Sequence, residues 1–491
     1  MSMEKNVVII GAGIAGLASA IRFASRGYRV EVFEKEQQAG GKMGELSWNG
    51  YRWDTGPSLF TLPGEVEKLY RLAGQEMQHY LPYRRLDLVT RYFWEDGTVL
   101  NSWGDPQRFG EEAERVTGES SASVGRYLDR QRMIYDLVSE VFIRSPFNRL
   151  STYLSKAFRR ALLQVRKIDP LRTMHEANSK WFDSPHLVQL FDRYATYNGS
   201  DPGQAPATLT MIAHLEHSLG AFFPERGMYS IAGELSKLAE KLGVRFHFSS
   251  PVEKIILEGK EVRGIVSGGE KVYADLVISD VDIHVLYSKL LPDVSFPRKY
   301  FTQPRSSSAL IFYWAMDRKF PQTDLHNIFF SENYAEEFDY LFKKKEFYAD
   351  PTVYLYVSSK RVSGDAPGNG ENWFVMVNVP ENNGQDWVVY TTKLREAVLQ
   401  KLERNLGVSV RKHLLFEYTR NPVSIEDLTG SWKGSLYGSS SNTRLAAFSR
   451  HPNNRRQLKN LYFAGGSVHP GGGIPLCLAS AEIVDKLVHE K

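Results

Sequence analysis

Cys477 is the only cysteine among 491 residues, so no internal disulfide can form and the chain fits a reducing compartment. The formal net charge is only +4, which removes any global case for nucleic acid; basic surface, where present, must be local. No His/Cys cluster has metal-ligand spacing, and no Gly-x-Ser-x-Gly marks a nucleophilic hydrolase. Long apolar runs are missing too. The longest stretch free of charged residues, 460–481, holds Gly465, Gly466, Gly471, Gly472 and Gly473 with Pro470 and Pro475, and these would break a spanning helix. The chain is not expected to cross a membrane. It has no internal repeat, no low-complexity tail and no feature that specifies an oligomeric state.

Against these absences stands the stretch from Asn6 to Asp54. Val7-Val8-Ile9-Ile10 is a β-branched run long enough for a buried parallel strand. It leads straight into Gly11-Ala12-Gly13-Ile14-Ala15-Gly16 and then into a helical pattern from Leu17 to Ala24. A second strand, Tyr28 to Phe33, ends in Glu34. Strand, Gly-x-Gly-x-x-Gly turn, helix, strand and acid each have a mechanical task in dinucleotide binding. Gly11 allows the tight turn, Gly13 lets the backbone approach a pyrophosphate, and Gly16 lets the helix pack closely on the strand. The helix start at Ile14 and Ala15 offers unpaired N–H groups and a positive dipole end to the phosphates. Glu34 stands 23 positions after Gly11, near the spacing expected of the acid that holds a ribose diol. A glycine turn without a ligand is the plainer alternative, but here the flanking context is complete on both sides.

The next residues select the dinucleotide. Lys35-Glu36-Gln37-Gln38-Ala39-Gly40-Gly41-Lys42 offers a second glycine pair followed by a cation, and Gly50-Tyr51-Arg52-Trp53-Asp54-Thr55-Gly56-Pro57-Ser58-Leu59 follows. A plain nicotinamide dehydrogenase has no need of these additions, whereas FAD, bound extended, does. FAD is the expected cofactor. The first strand begins at Val7, leaving no room for a signal peptide, and the expected location is cytoplasmic.

At this length two domains are expected. A helix at 63–73, a hairpin built from Leu86–Val89 and Arg91–Trp94 around the Glu95-Asp96-Gly97 turn, and helical patterning over 107–143 lead away from the cofactor unit. Leu209 to Phe223 is apolar and aromatic, and is expected to line a cavity. A helix at 231–242, strands at 244–248 and 255–257, and a strand closing at Asp280 return to the cofactor rhythm. Residues 305–440 look mixed, with strands near 309–315, 353–358 and 373–379 and a helix near 392–406. The expectation is an α/β fold. Residues 1–75, 226–290 and 441–491 would form a discontinuous Rossmann-like FAD-binding domain. Residues 76–225 and 291–440 would form a discontinuous α+β domain for substrate and membrane docking.

Residues 149–168 carry apolar side chains at 3-to-4 spacing, namely Leu150, Leu154, Ala157, Phe158, Ala161, Leu162, Val165 and Ile168, with Arg149, Lys156, Arg159, Arg160, Arg166 and Lys167 between them and no acid. One amphipathic helix of this kind can lie in an anionic membrane surface. A core-packing helix with a basic solvated face is the alternative.

At the end of the chain, 460–466 reads as a buried strand running into a glycine turn. Ser467-Val468-His469-Pro470-Gly471-Gly472-Gly473-Ile474-Pro475 follows, then a helix from Leu476. Its bare N–H groups suit the N1–C2=O edge of a flavin, which becomes negative on reduction.

Together these residues resemble the bacterial-type phytoene desaturase family, flavoproteins of the amine-oxidase-like superfamily that desaturate carotenoids. The similarity covers essentially the whole chain and is most specific at Gly40-Gly41-Lys42, at Gly50 to Ser58 and at His469 to Pro475. The ending Gly465 to Leu478 is most similar to the hydroxycarotenoid 3,4-desaturases of that family. The resemblance implies that Ala15, Glu34, Lys42, Ser58 and Leu59 contact FAD from the N-terminal side, that the Val252 backbone holds the adenine, and that Asp280 lies near it. Lys35, Gly41, Gly56, Pro57, Gly465, Gly466, Ser467, Gly473 and Ile474 complete the expected cofactor set. Gly466 stands where many other flavoproteins carry an aspartate on the ribityl chain, which leaves backbone N–H groups to do that task.

The implied substrate is a carotenoid, met at a peripheral membrane surface through 149–168. The implied chemistry is hydride loss to flavin N5, leaving a polyene cation so acidic that water or any nearby weak base can take the next proton. No catalytic base is therefore named. His469, beside the second glycine turn, is the one catalytic candidate, against the alternative of a structural histidine bonded to backbone. The rival functions are a carotenoid isomerase or oxygenase of the same fold, an amine oxidase, a nicotinamide dehydrogenase, and a non-catalytic carotenoid- or membrane-binding module.

Overall fold

A computed structural model describes residues 5–490 except 148, 296, 444 and 445. The terminal residues 1–4 and 491, like those four, belong to the stretches assigned above to the two expected domains and lie outside the described residues. The strand Asn6–Ile10 alternates as a pleated strand must. Val7 and Ile9 face one core, and Val8 and Ile10 face another. Both faces are covered, which is why the run is β-branched throughout. The first core takes the helices Ile14–Ala24, Ser230–Lys241 and Ile474–His489. The second takes Ile255, Val262, Leu286 and Leu290.

Parallel pairing runs from Arg245–His247 through Arg29–Phe33, Asn6–Ile10 and Leu276–Ser279 to Leu458–Phe463, with the antiparallel pair Val252–Glu258 and Glu261–Ser267 at the far edge. The strands of this one sheet come from three separate stretches of chain. Between them the polypeptide builds a second sheet of seven strands, in the order Leu414–Arg420, Ser308–Met316, Glu371–Val379, Val353–Tyr356, His326–Phe329, Leu88–Phe93 and Val99–Trp103. All its pairs are antiparallel except His326–Phe329 with Leu88–Phe93.

Alternation gives this second sheet two different faces. Phe312, Trp314, Leu355, Val375 and Val377 pack against Leu394, Val398, Leu399 and Leu402 of the helix Trp387–Leu406. From the same strands, Ile311, Phe374, Met376, Tyr354, His326 and Ile328 face a cavity.

Three expectations are corrected here. Leu86–Trp94 does not fold on itself. The hairpin about the Glu95-Asp96-Gly97 turn forms, but its arms are Leu88–Phe93, one strand with a register irregularity between Leu88 and Thr90, and Val99–Trp103. The segment 209–223 lines no part of the cavity; it forms short helices and the strand Ala221–Pro224, whose Ala221 and Phe223 join the first core.

The third correction concerns 149–168, which is three short helices, Leu150–Leu154, Lys156–Leu163 and Val165–Ile168. Ser155 breaks the first junction with extended backbone, and its hydroxyl accepts from the Phe158 N–H at 3.1 Å as an N-cap. Gln164 breaks the second. The apolar positions therefore divide. Ala161 and Ile168 pack on Ile134, Leu137 and Val138 of the helix Ser121–Phe142. Leu154, Leu162 and Leu163 are 67%, 59% and 86% exposed. The side chain of Leu150 lies outside the description. Arg149 leaves the basic face, donating to the Leu487 and Glu490 carbonyls at 3.0 and 2.6 Å, where it caps the C-terminal helix.

Candidate functional site: a flavin cradle opening on a cavity

The glycine turn is closed by its own neighbours. The Gly11 N–H donates to the Phe33 carbonyl at 2.8 Å, and the Ala12 N–H donates to Glu34 Oε2 at 2.6 Å. The other oxygen of Glu34 accepts from the Glu36 N–H at 3.0 Å. A Cβ at Gly16 would run into the Gly11 carbonyl oxygen, so close helix–strand packing requires glycine there. The second glycine pair lies directly on this turn. The Gly40 N–H donates to the Ala12 carbonyl at 2.8 Å, and a Cβ on Gly41 would stand 3.2 Å from the Gly13 Cα.

The loop before Val252 also reaches the acid, with the Ser249 and Ser250 N–H groups donating to the carbonyls of Glu36 and Glu34 at 2.9 and 2.8 Å. Val252, two residues on from Ser250, is half-buried at the start of its strand.

Asp280 meets the first glycine turn directly. Its Oδ2 accepts from the Gly16 N–H at 2.9 Å, and a Cβ at either Gly13 or Gly465 would collide with its carboxylate. Strand order explains this, since the strand at 276–279 lies between the strands that end in Gly11 and Gly465. Burial first, then the charge of Glu34, pushes this carboxyl up to about 7, against the Gly16 N–H and Lys42, which pull it down.

A second group of expected residues lines a cavity of about 630 Å³: Gly41, Lys42, Gly56, Pro57, Ser58, Leu59, Gly473 and Ile474. Lys42 Nζ donates to the Leu436 carbonyl at 2.5 Å and the Ser435 carbonyl at 3.3 Å. Burial lowers its pKa, and Asp282 opposes that shift.

The run of three glycines divides its labour. A Cβ on Gly471 would press on the Arg450 guanidinium at 3.0 Å and one on Gly472 on the Tyr437 backbone at 3.0 Å, while one on Gly473, at φ +106, would meet nothing within 4 Å. Gly473 precedes the helix Ile474–His489, whose first turn has no side-chain cap. An uncapped helix N-terminus open to the cavity accepts the electron-rich edge of a planar ring, and the glycine cluster accepts a diphosphate. The residues present fit FAD.

Other expected residues serve elsewhere. Lys35 donates to the Asp427 carbonyl at 2.6 Å, and the Ser467 hydroxyl accepts from the Ile283 N–H at 2.9 Å. Gly466 packs against Gly472. Asp54 accepts from the N–H groups of Met228 and Tyr229, both at 2.9 Å, and from the Tyr356 hydroxyl at 2.9 Å, with Arg52 bonded to it at 2.8 Å. That part of the 50–58 motif ties the start of the helix Ser230–Lys241 to Tyr356 of the second sheet. His469 lies outside the cavity lining. Its Nε2 meets the Ser145 carbonyl at 2.9 Å, its ring packs on Phe147, and burial lowers its pKa to about 4. This is the geometry of a structural histidine.

The residues that sequence reasoning missed come from the second sheet and the helical segment above it. Ser58 Oγ lies 2.6 Å from the Tyr354 hydroxyl, which lies 2.8 Å from His326 Nδ1. Arg193, buried and cavity-lining, donates to the Tyr92 hydroxyl at 2.7 Å and pairs with Glu216 at 3.5 Å. Period-2 alternation in 353–356 and 371–379 was the signal that could have found Tyr354, Phe374 and Met376. Among the described residues no group of three or more His, Cys, Asp or Glu could hold a metal ion.

Fold and cradle define an FAD-dependent oxidoreductase. The family model for flavin containing amine oxidoreductase matches residues 14–484. The chain is 43% identical over 484 residues, 99% of each protein, to a 1-hydroxycarotenoid 3,4-desaturase of Flavobacterium sp. (strain P99-3). It is 30% identical over 490 residues, 99% of this chain and 98% of the other, to a 4,4'-diaponeurosporene oxygenase of Staphylococcus aureus (strain MSSA476). Among solved structures, an oxidoreductase from Methanosarcina mazei superposes with TM-score 0.64 at 16% identity, covering 99% of this chain and 100% of that one. Putrescine oxidase superposes with TM-score 0.63 at 15% identity, covering 100% of both. The protein belongs to the flavin-containing amine oxidoreductase family, and within it to the carotenoid desaturase group.

Proposed function

We propose that this protein desaturates a hydroxycarotenoid at a membrane surface. The observation that carries the reading is a cavity that joins the flavin cradle to the apolar face of the second sheet, in a chain similar over its whole length to a 1-hydroxycarotenoid 3,4-desaturase. Bound FAD supplies the hydride acceptor. The chain's own part is to hold and enclose the substrate. Ile311, Ile328, Phe374, Met376 and Leu436 offer the apolar wall along which a polyene can lie while water is excluded. No residue in the cavity needs to be a strong base, because an allylic cation on a long polyene is acidic enough to lose its proton to any nearby weak base, or to water at the cavity mouth.

Charge argues against an amine substrate. The acids of the lining, Glu36 and Glu45, sit at the solvent-accessible rim, whereas Arg193 is buried within it and Lys42 and Arg420 also line it. Arg193 is neutralised by Glu216, and none of the described lining carboxylates is buried and free to hold an ammonium group, whereas an apolar substrate needs none.

Docking is supported by Leu154, Leu162, Leu163 and Leu171, exposed beside Lys156, Arg159 and Arg160. No described helix is long and apolar enough to cross a membrane, so such a patch suits reversible surface binding. The test is expression in cells that accumulate either a hydroxylated or an unhydroxylated carotenoid, followed by mass analysis of the pigment. Loss of two hydrogens from the hydroxylated pigment is the expected result; gain of oxygen would make the protein an oxygenase, and no change of mass an isomerase.

A further inference from the structure

His326 is the last member of a hydrogen-bonded chain that begins in the flavin motif, Ser58 to Tyr354 at 2.6 Å and Tyr354 to His326 Nδ1 at 2.8 Å. All three residues line the cavity. The other ring nitrogen, Nε2, is buried and has no partner in the protein. The Tyr334 hydroxyl and Arg193 Nε, from two further lining residues, share that condition. Buried polar atoms without partners are rare, and each asks for one. A hydrocarbon end group would leave all of them unpaired; a hydroxyl, which both donates and accepts, can satisfy His326 in either tautomer.

We infer that His326 Nε2 holds the terminal hydroxyl of the carotenoid and so sets both the choice of substrate and the position of the new double bond. The inference rests on the proposed desaturase reading. In a 1-hydroxy carotenoid desaturated at carbons 3 and 4, a single carbon separates the hydroxyl-bearing carbon from the reacting bond. The group that grips the hydroxyl must therefore stand close to the flavin. His326 is two hydrogen bonds from Ser58, a residue of the motif expected to hold the flavin, and lines the same cavity. Tyr354 is a positioning residue, since its hydroxyl fixes the imidazole ring. Glu216 holds Arg193, so the guanidinium charge stays balanced as the cavity fills. Burial lowers the pKa of His326 to about 3, so the ring is neutral through the physiological range and the preference it imposes is flat between pH 6 and 8.

The experiment measures kcat/KM of the FAD-loaded enzyme in liposomes for a 1-hydroxy carotenoid and for its unhydroxylated parent. Wild type should favour the hydroxylated substrate by roughly tenfold to a hundredfold, the range expected when a buried polar group is paired in one complex and orphaned in the other. His326→Leu should bring the ratio close to one by slowing the hydroxylated substrate far more than the parent. His326→Gln, whose amide nitrogen reaches where Nε2 stood, should restore part of the preference. Tyr354→Phe, which deletes one oxygen, should reduce it while flavin content stays normal, and so serves if His326→Leu does not fold. Equal loss on both substrates in the variants, or a wild type without preference for the hydroxyl, overturns the inference and leaves the desaturase reading standing. A wild type that desaturates neither substrate overturns that reading itself.

Discussion

A carboxyl group set against the Gly16 N–H, in the same turn that is to receive a diphosphate, makes cofactor binding sensitive to its proton. Asp280 titrates near 7 in the fold and near 3.8 when exposed. The fold therefore gains from the protonated form. That contribution is fully present below the unfolded pKa and is lost as pH rises from about 4 through about 7. A diphosphate beside it adds negative charge and favours the same proton. The dissociation constant for FAD should accordingly rise above pH 7, by up to roughly tenfold per pH unit. Asp280→Asn should flatten the dependence, as read by flavin fluorescence titration from pH 6 to 8; a variant with the wild-type slope would place the titrating group elsewhere. Cys477 gives a second prediction at this scale. Burial pushes its thiol up to about 12, so it is no nucleophile at neutral pH. Acid precipitation should release all of the yellow colour into the supernatant, and colour retained in the pellet would mean a covalent flavin.

Elements show where sequence reasoning succeeds and where it stops. The two glycine turns were legible because strand, turn and helix follow one another in the chain, so local spacing carries the geometry. The contact of Asp280 with the glycine turn was not legible, because its neighbours Gly13 and Gly465 are brought to it by strand order, which no local pattern encodes. The cavity wall was missed for the same reason: Tyr354, His326 and Phe374 come from three strands and meet only through register. The segment 149–168 has the periodicity of one helix but not its continuity, since Ser155 prefers to cap a new helix rather than extend the old one. Its exposed half still carries a prediction. Burying a leucine in the interface stabilises binding by about 1.5–3 kcal/mol, and each nearby cation adds about 1 kcal/mol on anionic lipid. Replacing Leu154, Leu162 and Leu163 by serine should abolish co-sedimentation with anionic liposomes while FAD content is unchanged. If variant and wild type pellet alike at low salt, this segment is not the membrane contact.

At the scale of the whole molecule, two sheets with different tasks are interleaved along one chain. The parallel sheet converges three strand ends on the cofactor turn, and the antiparallel sheet turns one apolar face to the cavity and the other to its own helix. The cradle that would hold the hydride acceptor thus adjoins a cavity with an apolar wall, whose buried lining cation, Arg193, is paired with Glu216. The central claim is that a carotenoid placed there loses hydrogen to the flavin. It is tested most directly by mixing the FAD-loaded protein, without oxygen, with a 1-hydroxy carotenoid in liposomes and following flavin absorbance and product mass together. The account predicts bleaching of the flavin band in step with a product two hydrogens lighter; an unbleached flavin, or a product of unchanged or greater mass, would contradict it.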